Sequence, residues 1–562
     1  MDQPIEHLRL SKVLENVLRR LLDSTIFTLS ARIVGCIALI LVGICGGTFL
    51  FTSLRFHLEQ ADGRRFTGTE PPTLPYFIPW IGSALEMIRD PHVFYQSTLR
   101  RSRDGRPARL RIGPIHMYLI MGADNIQAIF RNSKHLSFEF MQLRIAQKVK
   151  GLPAKDALKL GVDDSGTGST PLVDIPSDAR IWHKLHGIYL SNLTEMTTVN
   201  FLTNKFVAEF SDQLDLVPSG RTLTLPIYDF LQFFQFTAST NTLVGPRILE
   251  SNPNFIRAFW DYDAAFMTLL QGAPRFWARK GWDARDQCLR ATKEWLASAT
   301  SNLDADLTAK EDPDWEQNFG HRLMRTRNQA LVDYGVSFEG RAAMHMGLIW
   351  AINANAIPMT AYMLIELILR PSLLQRVRDE LTSAVLPSPD AKTSLNLDIR
   401  TIASLPLLNA IYNECLRLHS SIPISRRLRS DIEIDGYTLR AGNFILAPSW
   451  LSHIDDKVWA TPEHPAGEFW AERFMQKERE KTKLGDFCPY GGGSVICPGR
   501  FFAKHEILSA VAMMVTRFEF EFVKYVHLDG RDSDRGPGME RAESRGIVSL
   551  DRDVVVKMRK VG

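Results

Sequence analysis

Between Arg32 and Arg55 the chain reads IVGCIALILVGICGGTFLFTSL, residues 33–54, with no charged side chain. Few conformations suit such a stretch. In apolar surroundings its backbone amides and carbonyls have only one another to bond. A helix of about 20 residues satisfies them and reaches across a hydrocarbon core. Thirty-two residues of mixed character precede the segment, which does not fit a cleaved leader. The alternative is a helix buried in a protein core. Lysine and arginine are similar on the two flanks, so charge does not orient a span.

The stretch EPPTLPYFIPWIG, residues 70–82, follows, and its four prolines favour a stiff extended connector. The chain therefore divides into a polar tail (1–32), an anchor (33–54), a proline-rich hinge (55–82) and a body (83–562). With 45% hydrophobic and 23% charged residues, the chain has ordinary globular composition. A formal charge of +4 on 562 residues, with no finger spacing, gives no reason to expect a nucleic-acid partner. Six scattered cysteines do not make a disulfide framework and suit a reduced, cytosol-facing body. Helical patterns at 337–370 (interrupted by Pro358), 402–418 and 500–518 outnumber strand patterns at 432–448 and in the final VVVKMRK. Residues 527–545 read as a solvated excursion. The fold class expected is mainly α with minor β sheets, preceded by one transmembrane helix.

PYGGGSVICPGRFF, residues 489–502, sets Cys497 between three glycines and a helix start. A phosphate loop would need Gly-Lys-Ser/Thr after its glycines, and none is present. A structural zinc site needs a close cysteine pair, whereas Cys488 lies nine residues away. A lone cysteine here suits a single thiolate ligand to an iron already held in a porphyrin. Glycines would let the backbone pass close under a flat macrocycle. Amides at the helix start would donate to the sulfur and hold it as thiolate.

YGGGSVICPG resembles the haem-binding signature of the cytochrome P450 family, an aromatic residue followed by x-x-Gly-x-x-x-Cys-x-Gly. Gly493, Cys497 and Gly499 fit it, Tyr490 stands where the family usually has Phe, and Val495 replaces a frequent basic residue. NECLRL places Glu414 and Arg417 three apart on one helix face. That spacing alone says little, since Glu86 and Arg89 repeat it. Its weight is its order in the chain, ahead of AERF with Arg473 and then Cys497. The resemblance implies a buried charge network of Glu414, Arg417 and Arg473. It also aligns GLIWAINANAIPMTAYML, residues 347–364, with the helix crossing the oxygen-binding face of the haem. Asn355 and Pro358 depart there from the family's second small residue and threonine. Pro358 has no N–H, so the Ala354 carbonyl loses its helical partner and the helix should kink. Ala351, Ala354, Asn355 and Pro358 share one face. Trp-Ala-x-x-Ala-Asn-x-x-Pro with ICPGRFFAKHEI is similar to the branch holding sterol 7α-hydroxylase, sterol 12α-hydroxylase and prostacyclin synthase.

The resemblance further implies haem b ligated by Cys497. Arg426, Trp182, His186 and Arg500 are the candidate propionate contacts, with Arg426 favoured over Arg427. An NADPH-cytochrome reductase would supply electrons singly. On the distal side, Asn355 would orient a water with the Ala354 carbonyl as acceptor. PRFWARKGW, residues 274–282, interleaves aromatics with cations and suits a membrane interface that admits a lipophilic substrate. The expectation is a single-pass membrane monooxygenase of the endoplasmic reticulum, body in the cytosol, acting on a steroid- or terpenoid-like molecule. A reductase-independent isomerase or dehydratase, and a non-catalytic haem- or sterol-binding membrane protein, remain as alternatives.

Overall fold

The computed structural model describes residues 5–61, 69–102, 105–301, 313–385, 398–475, 483–538 and 546–561, with side chains from residue 32 onward. Residues 62–68 of the expected hinge and 539–545 of the polar excursion lie outside the described residues.

One continuous helix, Ile5–Ala61, carries the uncharged segment. It extends back through the polar tail and forward into the first part of the expected hinge, because no proline interrupts it and nothing in RFHLEQA breaks a helix. Its apolar side chains are exposed, Leu39 at 73% and Val42 at 70%, which removes the core-helix alternative and leaves a candidate membrane span. The end of this helix docks on the body. Phe49 stacks on Phe77 with ring centroids 4.1 Å apart, and Thr52 Oγ1 accepts the Tyr76 amide at 3.3 Å. The proline-rich connector is extended, but it is stitched down along the strand Ala108–Ile112. Arg109 donates its amide to the Pro72 carbonyl and accepts that of Leu74, both at 2.9 Å.

In the body, strands Ala108–Ile112, Ile115–Leu119, Phe444–Pro448, Pro423–Leu428 and Leu136–Ser137 form a five-stranded sheet in that order. The hairpin Ile432–Ile434 to Tyr437–Leu439 turns through Asp435 (φ 52°) and Gly436 (φ 78°), the positive-φ pair of a two-residue turn. A four-stranded sheet runs Asp532–Ser533, Phe518–His527, Arg552–Lys560 and Thr222–Pro226. Part of the expected excursion is therefore paired strand.

Helix Phe338–Ile368 is as long and apolar as a span, yet it lies mostly buried, against Ile227–Val244, Arg279–Ser301, Pro406–His419 and Arg500–Arg517. Ser337 caps it, its Oγ accepting the Gly340 amide at 3.2 Å. Pro358 sits inside without ending it. The single helix expected over 402–418 is two, Ile399–Ser404 and Pro406–His419. Pro406 has no N–H and holds Leu405 extended (φ −60°, ψ 121°), so the first helix must stop. Glu380 then accepts the Leu407 and Leu408 amides at 2.8 and 3.0 Å, placing an anion at the positive end of the second helix.

Candidate active site

The loop before helix Arg500–Arg517 closes on itself. The Gly491 amide donates to Cys488 O at 3.0 Å, Ile496 to Gly493 O at 3.3 Å and Cys497 to Tyr490 O at 3.1 Å. Gly493 has a φ of 70°, where a side chain would be strained. Gly492 is extended but equally constrained, since a Cβ there would lie 2.4 Å from the Phe130 ring. The amides of Gly499 and Arg500 donate to the Cys497 sulfur. Burial pushes that thiol up, and the two amides and the Arg500 cation pull against it. Cys288, Cys415 and Cys488 are buried, whereas Cys497 is half-buried. Cys488 packs in an apolar cluster with Phe130 and Tyr118, and burial pushes its thiol up to about 12, so it forms no pair with Cys497. Tyr490 answers its extra oxygen relative to Phe by a hydrogen bond with the Tyr412 hydroxyl.

Arg426 comes to this loop from strand Pro423–Leu428. It donates to Ser425 O at 2.8 Å and Gly492 O at 3.4 Å, and lies over the Phe138 ring. No carboxylate pairs with it among the described residues, and burial holds its guanidinium down to about 10. Its neighbour Arg427 is exposed, as strand alternation requires. The other candidates are differently disposed. The Trp182 indole N–H donates to Leu160 O at 3.2 Å, deep in the core, and is not free for a propionate. Arg500 braces the loop itself, donating to Cys497 O at 3.0 Å. His186 is half-buried, and burial holds its imidazole below the usual value. A half-buried sulfur held by amides, a glycine backbone and a desolvated cation with no acidic partner together fit a haem with its anionic propionates.

Glu414, Arg417 and Arg473 meet with no exposed side-chain surface. Arg417 grips Glu414 with Nε and Nη2, both at 2.8 Å, and Arg473 Nε adds a bond at 3.1 Å. The Trp470 amide donates to the same carboxylate at 3.0 Å. The remaining guanidinium N–H groups go to backbone carbonyls, among them His453 and Ala466 for Arg417 and Pro465 for Arg473. Two cations share one anion, and the carbonyls complete their solvation. This ties helix Pro406–His419 to the segment around AERF.

On helix Phe338–Ile368, Ala351 is exposed and Trp350, Ile352 and Asn355 are half-buried, while Ala354 and Pro358 are buried. Thr360 is buried too, its hydroxyl donating to Ala356 O, and it does not substitute for the family threonine. Asn355 is not a free water ligand. Its Oδ1 accepts the Ile547 amide at 3.1 Å, and its Nδ2 makes only a long 3.4 Å contact with Ala351 O. It brackets the long helix to strand Gly546–Ile547, leaving Nδ2 as the group able to hold a water.

Glu506 lies within ICPGRFFAKHEI, where nothing in the sequence alone assigns it a role. It is fully buried on helix Arg500–Arg517, accepting from Ser239 Oγ at 2.6 Å and Gln235 Nε2 at 3.3 Å. Burial raises its carboxyl from 4.5 to about 7. The folded protein therefore binds a proton that the unfolded chain releases at lower pH. Stability fully present below pH 4.5 is lost as pH rises through about 7. Glu506→Gln is expected to raise the melting temperature at pH 8, by up to about 3 kcal/mol of stability, with the gain vanishing toward pH 5. Calorimetry at the two pH values checks it.

A family model described as Cytochrome P450 matches residues 172–540. Cytochrome P450 monooxygenase calL of Penicillium decumbens is 33% identical over 503 residues, covering 88% of this chain and 93% of that protein. Cholesterol 7-alpha-monooxygenase of Cricetulus griseus is 24% identical over 488 residues, covering 82% and 89%. Among solved structures, the retinoic acid bound cyanobacterial CYP120A1 shares the fold, with a TM-score of 0.62 at 16% identity over 88% of this chain and 100% of that one. The matched stretch spans the cysteine loop, the ion network and the long buried helix together, and the chain belongs to the cytochrome P450 family, among its monooxygenases.

Proposed function

We propose that this protein is a membrane-anchored monooxygenase that holds haem b through Cys497 and oxidises a steroid- or terpenoid-like substrate with electrons from an NADPH-cytochrome reductase. The observation that carries this reading is the half-buried Cys497 sulfur, held by the amides of Gly499 and Arg500 in a glycine-built loop. The haem, when bound, supplies activation of molecular oxygen, favoured by electron density from its thiolate ligand. Gly493 and Gly499 keep the backbone close and the sulfur aimed. Arg426 pairs with a propionate, with His186 as a second donor. Tyr490 buttresses the loop through Tyr412. Glu414, Arg417 and Arg473 fix the framework beside it. On the opposite side Asn355 holds the long helix to the last strands and positions water by Nδ2, and the Ala354 carbonyl, with no N–H from Pro358, accepts from that water. Neither group titrates near neutrality, so they orient protons and do not supply them.

In this reading residues 1–32 are the tail and 33–54 the span, whose helix runs on to Ala61 before the connector that ends at residue 82; 83–562 is the haem-binding body, in the cytosol at the endoplasmic reticulum. Phe276 and Trp277, 89% and 81% exposed beside Arg275 and Arg279, support entry of a lipophilic substrate from the bilayer. The name of one relative, cholesterol 7-alpha-monooxygenase, supports a steroid-like class.

The test uses purified holoprotein, reductase, NADPH, labelled dioxygen and a panel of sterols and terpenoids. Product carrying one labelled oxygen with stoichiometric NADPH use is expected. Product from an oxygenated substrate without NADPH would instead make it an isomerase or dehydratase, and haem binding without turnover a non-catalytic protein. In the same assay Asn355→Ala is expected to lower product per NADPH severalfold. Leaving the Ile547 amide unpaired should also cost about 1–3 kcal/mol of stability. Unchanged coupling would remove Asn355 from proton positioning.

A further inference from the structure

A cavity of about 430 Å³ lies where the N-terminal helix meets the body, far along the chain from the cysteine loop. Gly47, Phe51 and Thr52 of the helix form one wall, Tyr76 of the connector another, and Arg111 and His116 the third. The hairpin of Ala108–Ile112 with Ile115–Leu119 sets this third wall. Its register places Arg111 directly opposite His116, and strand alternation brings Arg109 to the same face.

The charges near the cavity do not balance internally. Glu70 is fully engaged, accepting from Arg109 at 2.7 Å and from the Tyr118 hydroxyl. Glu59 pairs with Arg55 at 2.7 Å. Arg111 has no acidic partner among the described residues; its one side-chain bond is a 3.5 Å contact to the Tyr76 hydroxyl. The His116 Nδ1 is buried and has no hydrogen-bond partner. Burial and the neighbouring Arg109 and Arg111 hold this imidazole below its usual value, while Glu70 acts the other way. A cation without an acidic partner and an imidazole thus line a cavity whose opposite wall is the helix face carrying Gly47, Thr48, Phe51, Thr52 and Arg55.

Position along the helix identifies the occupant. The lining residues belong to the last two turns of the uncharged segment and to Arg55, the first charge after it. That is the depth at which a span passes from acyl chains to headgroups. Trp80, 76% exposed, and the exposed Ile81 and Leu85 follow closely in sequence on Phe77, which stacks on the helix, and suit an interface at that depth. We infer that this cavity binds the phosphate of an anionic glycerophospholipid, with Arg111 and His116 as its donors and the acyl chains along Gly47 and Phe51. An ionised Arg111 and an imidazole N–H supply charge-assisted bonds to phosphate oxygens, and the net positive wall selects against zwitterionic headgroups. The inference rests on the reading of the N-terminal helix as a membrane span.

The experiment uses full-length holoprotein reconstituted in nanodiscs of phosphatidylcholine doped with phosphatidic acid, then transferred to detergent for native mass spectrometry. One retained phosphatidic acid per chain is expected, falling at least about tenfold in Arg111→Gln/His116→Gln, with the carbon-monoxide spectrum unchanged. A photoactivatable phosphatidic acid on the unmutated protein should label the peptides holding Thr52 and His116, which keeps the test independent of the variant's folding. Equal retention of phosphatidylcholine, or labelling elsewhere, overturns the site. Displacement of the lipid by millimolar inorganic phosphate would assign the site to a soluble anion and overturn the lipid source. Sedimentation with pure phosphatidylcholine vesicles is the separate check on the span, so failure of the anchor and failure of the site are read apart.

Discussion

Cys497→Ser is expected to fold, to lose the red-shifted absorbance of the reduced, carbon-monoxide-bound protein, and to turn over at least about a thousandfold more slowly, a barrier increase of ~4 kcal/mol. The argument is local. Serine nearly matches cysteine in size, and the loop is closed by backbone bonds that do not involve the sulfur, so the change leaves Gly491, Gly493 and Tyr490 where they are. What changes is the acid. The amides of Gly499 and Arg500 offset part of the burial cost of a thiolate. They cannot do the same for an alkoxide, whose parent hydroxyl is far weaker as an acid than a thiol. The serine stays neutral, a poor iron ligand without the electron donation that favours O–O cleavage. A serine protein with normal spectrum and turnover would overturn the haem-thiolate reading.

Glu414→Ala is expected to cost about 3–5 kcal/mol, enough to remove most of the roughly 5–15 kcal/mol that holds a folded domain together. The loss is large because of what remains. Arg417 and Arg473 would face each other without solvent or anion, while the carbonyls that fix them still hold them in place. Glu414→Gln keeps an acceptor for part of the set and should lie between. Glu86→Ala, in an exposed pair of identical spacing, should change stability by less than about 0.5 kcal/mol. Yield of soluble, haem-loaded protein and urea midpoints across the three variants measure the order. A Glu414→Ala protein as stable as Glu86→Ala would show that the triad's desolvation cost cancels its attraction.

That contrast also marks what the residues alone disclose. Glu-x-x-Arg at 86–89 and at 414–417 is one pattern in two environments, and only tertiary burial separates a solvated pair from a framework. Helical periodicity was legible wherever the apolar stripe was long, as in Phe338–Ile368 and Arg500–Arg517. Boundaries failed where one residue overrode the stripe, as Pro406 does in splitting the segment read as one helix. The connector's extension followed from its prolines, but its attachment to Arg109 did not, since strand pairing is set by chain brought from elsewhere. The family resemblance favoured Arg426 over Arg427, while its lack of a carboxylate partner emerged only from its surroundings. Trp182 and Arg500 fit the expected pattern, and the fold uses their donors on Leu160 and on the loop itself. The Glu506–Ser239 and Asn355–Ile547 bonds had no sequence signal, because the partners lie 267 and 192 residues apart.

The bracket between the long helix and the last strands has a consequence for how this chain can vary over time. Gly546 adopts φ 150°, and a Cβ there would come within 2.5 Å of Asn355 Oδ1. A side chain at 546 is doubly disfavoured, by that backbone conformation and by the amide opposite it. Because that backbone conformation strains any L side chain, the glycine should persist even in lineages that have lost the asparagine, and sequencing orthologues would show a fixed position 546 beside a variable 355.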